Sequence, residues 1–317
     1  MSADGRRVLL ALGGNAIAPA GSAGTAGEQT AHIDAAMGSV ADLVAAGWQV
    51  LITHGNGPQV GNLMTKNEVA RALVPPVPLD WCVAQTQATI GHTIANTLEH
   101  HLAARDLRRL VVALPSRVLV DPGDPAFDEP TKPIGRYIEE EAEVRRRERE
   151  TKQRWAHQGD RGWRRVVASP EPRASLDLGA VELLHRQGAV VVANGGGGIP
   201  TVREADGRLR GIEAVIDKDL SGALLGCELD VDVYVILTDV RGVAVGFGTP
   251  SETWLSEIDV AGLRAHQADG QFASGSMGPK VEAVCRFVEQ GGRRAAIGAL
   301  DDIASVVDGT AGTQVTA

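Results

Sequence analysis

Five lysines and five loops, four of them glycine-bearing, are the parts of this 317-residue chain best suited to chemistry. The 31 basic residues comprise only five lysines, Lys66, Lys132, Lys152, Lys218 and Lys280; the rest are arginines. Three of the lysines have distinctive settings. Lys132 lies in Pro130-Thr131-Lys132-Pro133-Ile134-Gly135, Lys218 sits between Asp217 and Asp219, and Lys280 ends Gly275-Ser276-Met277-Gly278-Pro279-Lys280. An ammonium is a compact charge that can follow a moving phosphoryl group, whereas the arginine fork favours fixed bidentate geometry. Three such cations converging on one dry site would stabilise the charge that develops in phosphoryl transfer. Lys66 and Lys152 have no comparable setting and read as surface salt-bridging residues.

The other loops are Leu12-Gly13-Gly14-Asn15-Ala16, His54-Gly55-Asn56-Gly57-Pro58-Gln59-Val60-Gly61, Asn194-Gly195-Gly196-Gly197-Gly198-Ile199-Pro200 and Asp217-Lys218-Asp219. Glycine permits positive φ and lets backbone N–H groups approach an anion, above all at a helix N-terminus. A tight turn explains any one such loop equally well; three at strand ends favour the anion. No Walker A pattern occurs. Gly55, Gly57 and Gly61 give a dinucleotide-like spacing with one extra residue, but Pro58 also fits plain helix initiation. Asp219 either caps the helix that follows or has a functional role, holding the lysines or approaching Mg²⁺, and the alternating charges favour the functional reading. His54, flanking a strand end, reads as a hydrogen-bonded structural residue rather than a base.

These loops need elements to hold them. Apolar runs at Val8–Leu12, Val50–Thr53, Leu110–Leu114, Ala189–Ala193, Val233–Leu237 and Ala295–Ile297 predict strands buried on both faces. Helix-period segments at Thr30–Ala46, Trp81–Ala104, Leu176–Gln187 and Lys280–Gln290 alternate with them. The result is an α/β fold: a three-layer sandwich around a mainly parallel sheet, with ligands at strand ends. A stretch from about 122 to 172 reads as an inserted, partly exposed subdomain built on a charged helix over Arg136–Arg154, with no strongly apolar strand before Val166-Val167. A hairpin is expected at Val202–Ile212, turning at Asp206-Gly207. The chain divides near Asn194 into lobes of one sheet, 1–193 and 194–317.

Composition removes several classes. A net charge of -9 argues against general nucleic-acid binding. Cys82, Cys227 and Cys285 form no CxxC pair, which disfavours structural zinc and fits a reducing compartment. Arg6-Arg7 before Val8–Leu12 looks faintly like a signal peptide, but Gly13-Gly14-Asn15 ends the run too soon. No membrane-length apolar stretch occurs, so the expected location is cytoplasmic.

Together these motifs resemble the carbamate kinase branch of the amino acid kinase superfamily. The likeness runs almost end to end, through Ala11–Ile17, His54–Asn62, Pro78-Leu79-Asp80, Val120-Asp121-Pro122, Pro130–Gly135, Gly162–Val167, Gly195–Pro200, Gly211–Asp219 and Gly275–Glu282. Sister kinases usually carry a lysine where this chain has Ala11; in the carbamate branch the protruding subdomain supplies the charge, here from Lys132. The resemblance implies ATP plus carbamate giving ADP plus carbamoyl phosphate, often run backwards to make ATP in arginine catabolism. It implies Gly13, Gly14, Asn15, Gly55 and Asn56 around carbamate, and Lys132 and Lys218 bracketing the phosphoryl group. Asp219 would orient the lysines, and Lys218, Thr238, Asp239, Met277 and Lys280 would lie at the nucleotide. Mg²⁺ would arrive with ATP or ADP, mainly through its phosphates, and the assembly would be a homodimer. Gly278 and Asp239 depart from the usual branch pattern.

Three other readings stay open: a sister kinase for another small acid, which has no need of Lys132; a nicotinamide-dependent oxidoreductase; and a non-catalytic metabolite sensor. The oxidoreductase needs an acid at a second strand end, and Asp80 instead follows the proline-rich Pro75–Pro78. The intact lysine set argues against the sensor.

Overall fold

The continuous apolar runs become the middle of an eight-stranded sheet because both of its faces are covered. The computed structural model describes residues 6–18, 22, 24–151, 153–272 and 276–317, except for the side chains of Asn15 and Ala16. Across the sheet the strands run Glu257–Asp259, Thr313–Thr316, Arg294–Ala299, Val233–Thr238, Arg7–Leu12, Gln49–His54, Val190–Val192 and Val111–Ala113. All neighbours are parallel except Arg294–Ala299 with Thr313–Thr316. The period of two sends Val8, Leu10 and Leu12 into one core and Leu9 and Ala11 into the other. Helices Ala26–Ala45, Leu79–Ala103 and Ile303–Asp308 cover the first face. Leu178–Arg186, Lys218–Glu228, Val260–Ala268 and Met277–Glu289 cover the second. This is the expected three-layer sandwich. No helix among the described residues is long and apolar enough to cross a membrane.

A four-stranded sheet, in the order Leu209–Gly211, Ile199–Arg203, Arg117–Val120, Pro172–Ser175, accompanies the main one. Its first two strands are the expected hairpin, with Gly207 at φ 85° in the turn.

The segment expected to be one charged helix over Arg136–Arg154 is different. Only Glu141–Thr151 is helical; Arg136 lies in the strand Lys132–Ile138 and Arg154 opens the strand Arg154–His157. These two strands flank Trp163–Val167 in a three-stranded antiparallel sheet. A register shift between Ile134 and Tyr137 breaks the alternation that marks a strand. Ile138, Val144 and Trp155, with Trp163 against them, give the unit a small core of its own. Its base docks through Ile134 and Val167 onto Val60, Met64, Leu79, Cys82, Val83 and Val215. At this joint an added Cβ on Gly61 would lie 3.4 Å from the Gly135 Cα, so Gly61 serves close packing rather than a dinucleotide fingerprint. Asp80 lies in the first turn of helix Leu79–Ala103, not at a strand end.

Candidate active site

The parallel strands Arg7–Leu12, Gln49–His54 and Val233–Thr238 end side by side, and the loops that leave them line a cleft of about 320 Å³. Its walls include Gly13, Gly14, Gly55, Asn56, Gly196, Lys132, Lys218, Asp219, Thr238, Asp239 and Lys280. Residues far apart in sequence thus meet at the strand ends, where ligands bind in open α/β sheets. Met277 does not line it; that side chain packs against the second core at the head of its helix. The Asn15 side chain and Gly275 lie outside the described residues.

The lysines form a charge network with two carboxylates. Lys132 Nζ reaches from the three-stranded unit and donates to Asp217 Oδ2 at 3.1 Å and to the Ile216 carbonyl at 3.4 Å. Asp219, 3 % exposed, takes Lys218 on Oδ1 and Lys280 on Oδ2, the latter at 3.0 Å. Three ammonium groups against two carboxylates leave this network with one net positive charge, which suits an anion. Burial alone would raise the Asp217 carboxyl, but Lys132 and Lys218 overcome it and hold it at about 2. Burial lowers Lys218, Asp219 opposes that, and Lys280 adds to it. Beneath the network, Tyr234 donates to the Asp219 carbonyl at 2.8 Å. Burial first, then the charge of Asp219, push that phenol well above its ordinary value, so it stays a donor.

Helix capping falls to Asp217, not to Asp219. Helix Lys218–Glu228 has Asp217 as its N-cap, and that carboxylate accepts from the Asp219 and Leu220 backbone N–H groups. One acid therefore closes the helix end while its neighbour two residues on holds two lysines.

The glycine loops divide their work. The Gly13 and Gly55 N–H groups are already taken, donating to the Leu237 and Leu12 carbonyls as extensions of the ladder. Gly55 permits close approach instead: a Cβ there would lie 2.6 Å from the Gly14 nitrogen. Gly57 and Pro58 form the first turn of helix Gly57–Ala70 and line the cleft, where first-turn N–H groups have no partner inside the helix. In the four-glycine loop only Gly196 reaches the cleft. Gly197 and Gly198 have φ 90° and press on Ile216 and Val118, so packing accounts for them.

His54 is structural in its contacts: it is 1 % exposed, with Nδ1 3.0 Å from the Gly55 carbonyl. Burial outweighs that contact and drops its pKa to about 4, which keeps the ring neutral. Thr238 donates to the exposed Asp239 at 3.0 Å. Lys66 makes no ion pair among the described residues, contrary to the surface salt bridge expected of it; Lys152 lies outside them.

A buried polar layer lies behind the loops. Gln87, in helix Leu79–Ala103, donates to the Ser116 and Gly195 carbonyls and accepts from the Ser116 N–H. Asn194, at φ 51°, bonds Ser175 and Ser221 through its amide and accepts from Thr53 through its carbonyl. Thr86 accepts from the Asn56 amide at 2.9 Å. The nearest sequence signal is the polar pair Thr86-Gln87 on a helix face that is mostly apolar.

Residues 6–299 match the model of the amino acid kinase family. A carbamate kinase of Pyrococcus furiosus is 42% identical over 313 residues, covering 98% of this chain and 99% of that protein. The carbamate kinase-like protein YahI of Escherichia coli is 37% identical, with 97% and 98% covered. Carbamate kinase from Giardia lamblia bound to AMP-PNP superposes with a TM-score of 0.93 at 36% identity, covering 100% of this chain and 99% of that one. The chain belongs to the amino acid kinase family.

Proposed function

We propose that this chain catalyses reversible phosphoryl transfer, ATP plus carbamate giving ADP plus carbamoyl phosphate. The convergence of Lys132, Lys218 and Lys280 on one cleft, tied by Asp217 and Asp219, carries the reading. Relatives named carbamate kinase that match over nearly the whole chain support it.

The carbamate oxygen is already ionised, so the attack on the γ-phosphorus needs no general base, and the neutral His54 is not required. Catalysis rests on position and charge. Lys132 and Lys218 stand on either side of the transferring group, and their ammonium charges meet the negative charge that builds on its oxygens. Asp219 keeps Lys218 and Lys280 at a fixed separation, so no reorganisation is needed during transfer. The loops of the first 193 residues, with an inserted subdomain at about 122–172, receive carbamate or carbamoyl phosphate. Residues 194–317 hold the nucleotide through Lys218, Lys280, Thr238 and Asp239.

The donor set suits a Mg²⁺ ion carried mainly by nucleotide phosphates. No group of three His, Cys, Asp or Glu that could hold a metal occurs among the described residues, and Asp217 and Asp219 are occupied by lysines. Mg²⁺ typically keeps its waters and binds through substrate phosphates with one or two carboxylates. When bound, it would neutralise phosphate charge. We further propose a cytoplasmic homodimer that makes ATP from carbamoyl phosphate in arginine catabolism; light scattering tests the assembly.

Some relatives are named only carbamate kinase-like, so the reaction itself is the test. Purified protein with ADP, carbamoyl phosphate and Mg²⁺ should form ATP. Absence of ATP sinks the reading.

A further inference from the structure

Asn56 is the cleft residue whose orientation is fixed from behind. Its side chain is 4 % exposed and lines the cleft beside Gly196. Nδ2 lies 2.9 Å from Thr86 Oγ1, and that hydroxyl lies 2.7 Å from the Val83 carbonyl. A carbonyl oxygen only accepts, so the single hydroxyl hydrogen of Thr86 goes to Val83. Thr86 can then only accept from Asn56, which forces the amide nitrogen toward Thr86 and leaves the carbonyl oxygen pointing away from it. Gly196 blocks the remaining freedom: at φ 66°, its backbone stands so close that a Cβ there would be 2.0 Å from Asn56 Nδ2. Among the described residues Asn56 Oδ1 has no hydrogen-bond partner, and it is not among the sealed, unpartnered atoms.

We propose that Thr86 is a positioning residue that locks Asn56 with its carbonyl oxygen presented to the cleft, so that the site selects a small acceptor acid carrying an N–H group. This rests on the reading above and deepens it, because it concerns the end of the acceptor away from the phosphoryl group. Carbamate and carbamoyl phosphate carry an amino group there; acetate and acetyl phosphate carry a methyl group of similar size. The methyl would leave a desolvated carbonyl oxygen unpaired, which costs more than a missing contact. A threonine that donated its hydrogen to Asn56 would reverse the amide and favour the opposite class.

The test is the ratio of kcat/KM for carbamoyl phosphate to that for acetyl phosphate, both read as ATP formed from ADP. Thr86→Val removes the acceptor and frees the amide to flip. It should lower the ratio by roughly tenfold through carbamoyl phosphate, with acetyl phosphate turnover little changed. Thr86→Ser retains the hydroxyl and should keep the wild-type ratio. Asn56→Ala should lower the ratio as Thr86→Val does, and decides the matter if the valine variant fails to fold. An equal loss of both substrates, or an unchanged ratio in either variant, overturns the proposal while leaving the reaction assignment intact. Wild-type protein that does not use carbamoyl phosphate overturns both.

Discussion

Lys280 and Asp219, 61 residues apart, are joined at 3.0 Å, and the other oxygen of the same carboxylate holds Lys218. One buried acid thus sets the spacing of two cations that belong to the starts of two different helices.

Asp219→Asn keeps the shape and removes the charge. Turnover should fall by about a hundredfold or more, since both lysines lose their anchor. Stability should fall by roughly 3 kcal/mol, because two half-buried ammonium groups lose their counter-charge. Steady-state kinetics and urea unfolding check the two effects separately.

Lys132→Ala should reduce turnover strongly while leaving ADP affinity nearly intact, because this lysine arrives from the three-stranded unit and pairs with Asp217. Calorimetric titration with ADP beside kcat measurements makes the comparison. Equal loss of both would assign the unit to folding rather than chemistry.

His54 predicts a pH dependence of stability. Its folded value of about 4 lies below the ordinary imidazole value of 6.5, chiefly because the ring is buried. The unfolded chain therefore takes up a proton as pH falls through 6.5 and the folded one does not until about 4. Stability is full above 6.5 and declines across that window, by about 3 kcal/mol at its lower end. His54→Gln should flatten this part of a stability–pH curve measured by chemical denaturation.

Asp217 acts at lower pH. Its carboxyl is held at about 2 against an ordinary value of 3.8, so its contribution is present above pH 4 and lost as pH falls through 2. The loss amounts to about 2 kcal/mol. Glu282, also held at about 2 against burial by Arg264 and Arg286, titrates in the same window. Asp217→Asn should remove only part of the acid slope, and Asp217→Asn with Glu282→Gln should remove more.

Gly196→Ala and Gly207→Ala separate two glycine roles. Both residues have positive φ, but a Cβ on Gly196 would strike Asn56 while one on Gly207 would meet nothing within 4 Å. Gly207→Ala should cost about 1 kcal/mol of stability with turnover unchanged. Gly196→Ala should also reduce kcat/KM for carbamoyl phosphate. Thermal melts and the ATP-forming assay tell them apart.

The main sheet was legible because strands such as Arg7–Leu12 are buried on both faces and therefore written in unbroken apolar residues. The strand Lys132–Ile138 was not, because it is half exposed, carries Arg136 and Tyr137, and changes register midway. Lys132, Lys218 and Lys280 stood out by their rarity among arginines and their loop settings. The alternating charges pointed to Asp219 as the holder of the lysines, but not to Asp217 as the cap, which accepts from the backbone N–H groups two and three residues on. Thr86 and Gln87 escaped notice because a buried hydrogen-bond partner depends on which distant loop comes to rest against it.

The reach of Lys132 into the cleft makes the local charge a matter of assembly. Lys218 and Lys280 balance Asp217 and Asp219, so these four groups are electroneutral by themselves. The surplus that would draw in an anion comes from a separate small sheet, seated on the body through Ile134 and Val167. Attraction for the ligand is therefore borrowed from an appendage, and the sheet that supplies the strand ends does not hold it alone.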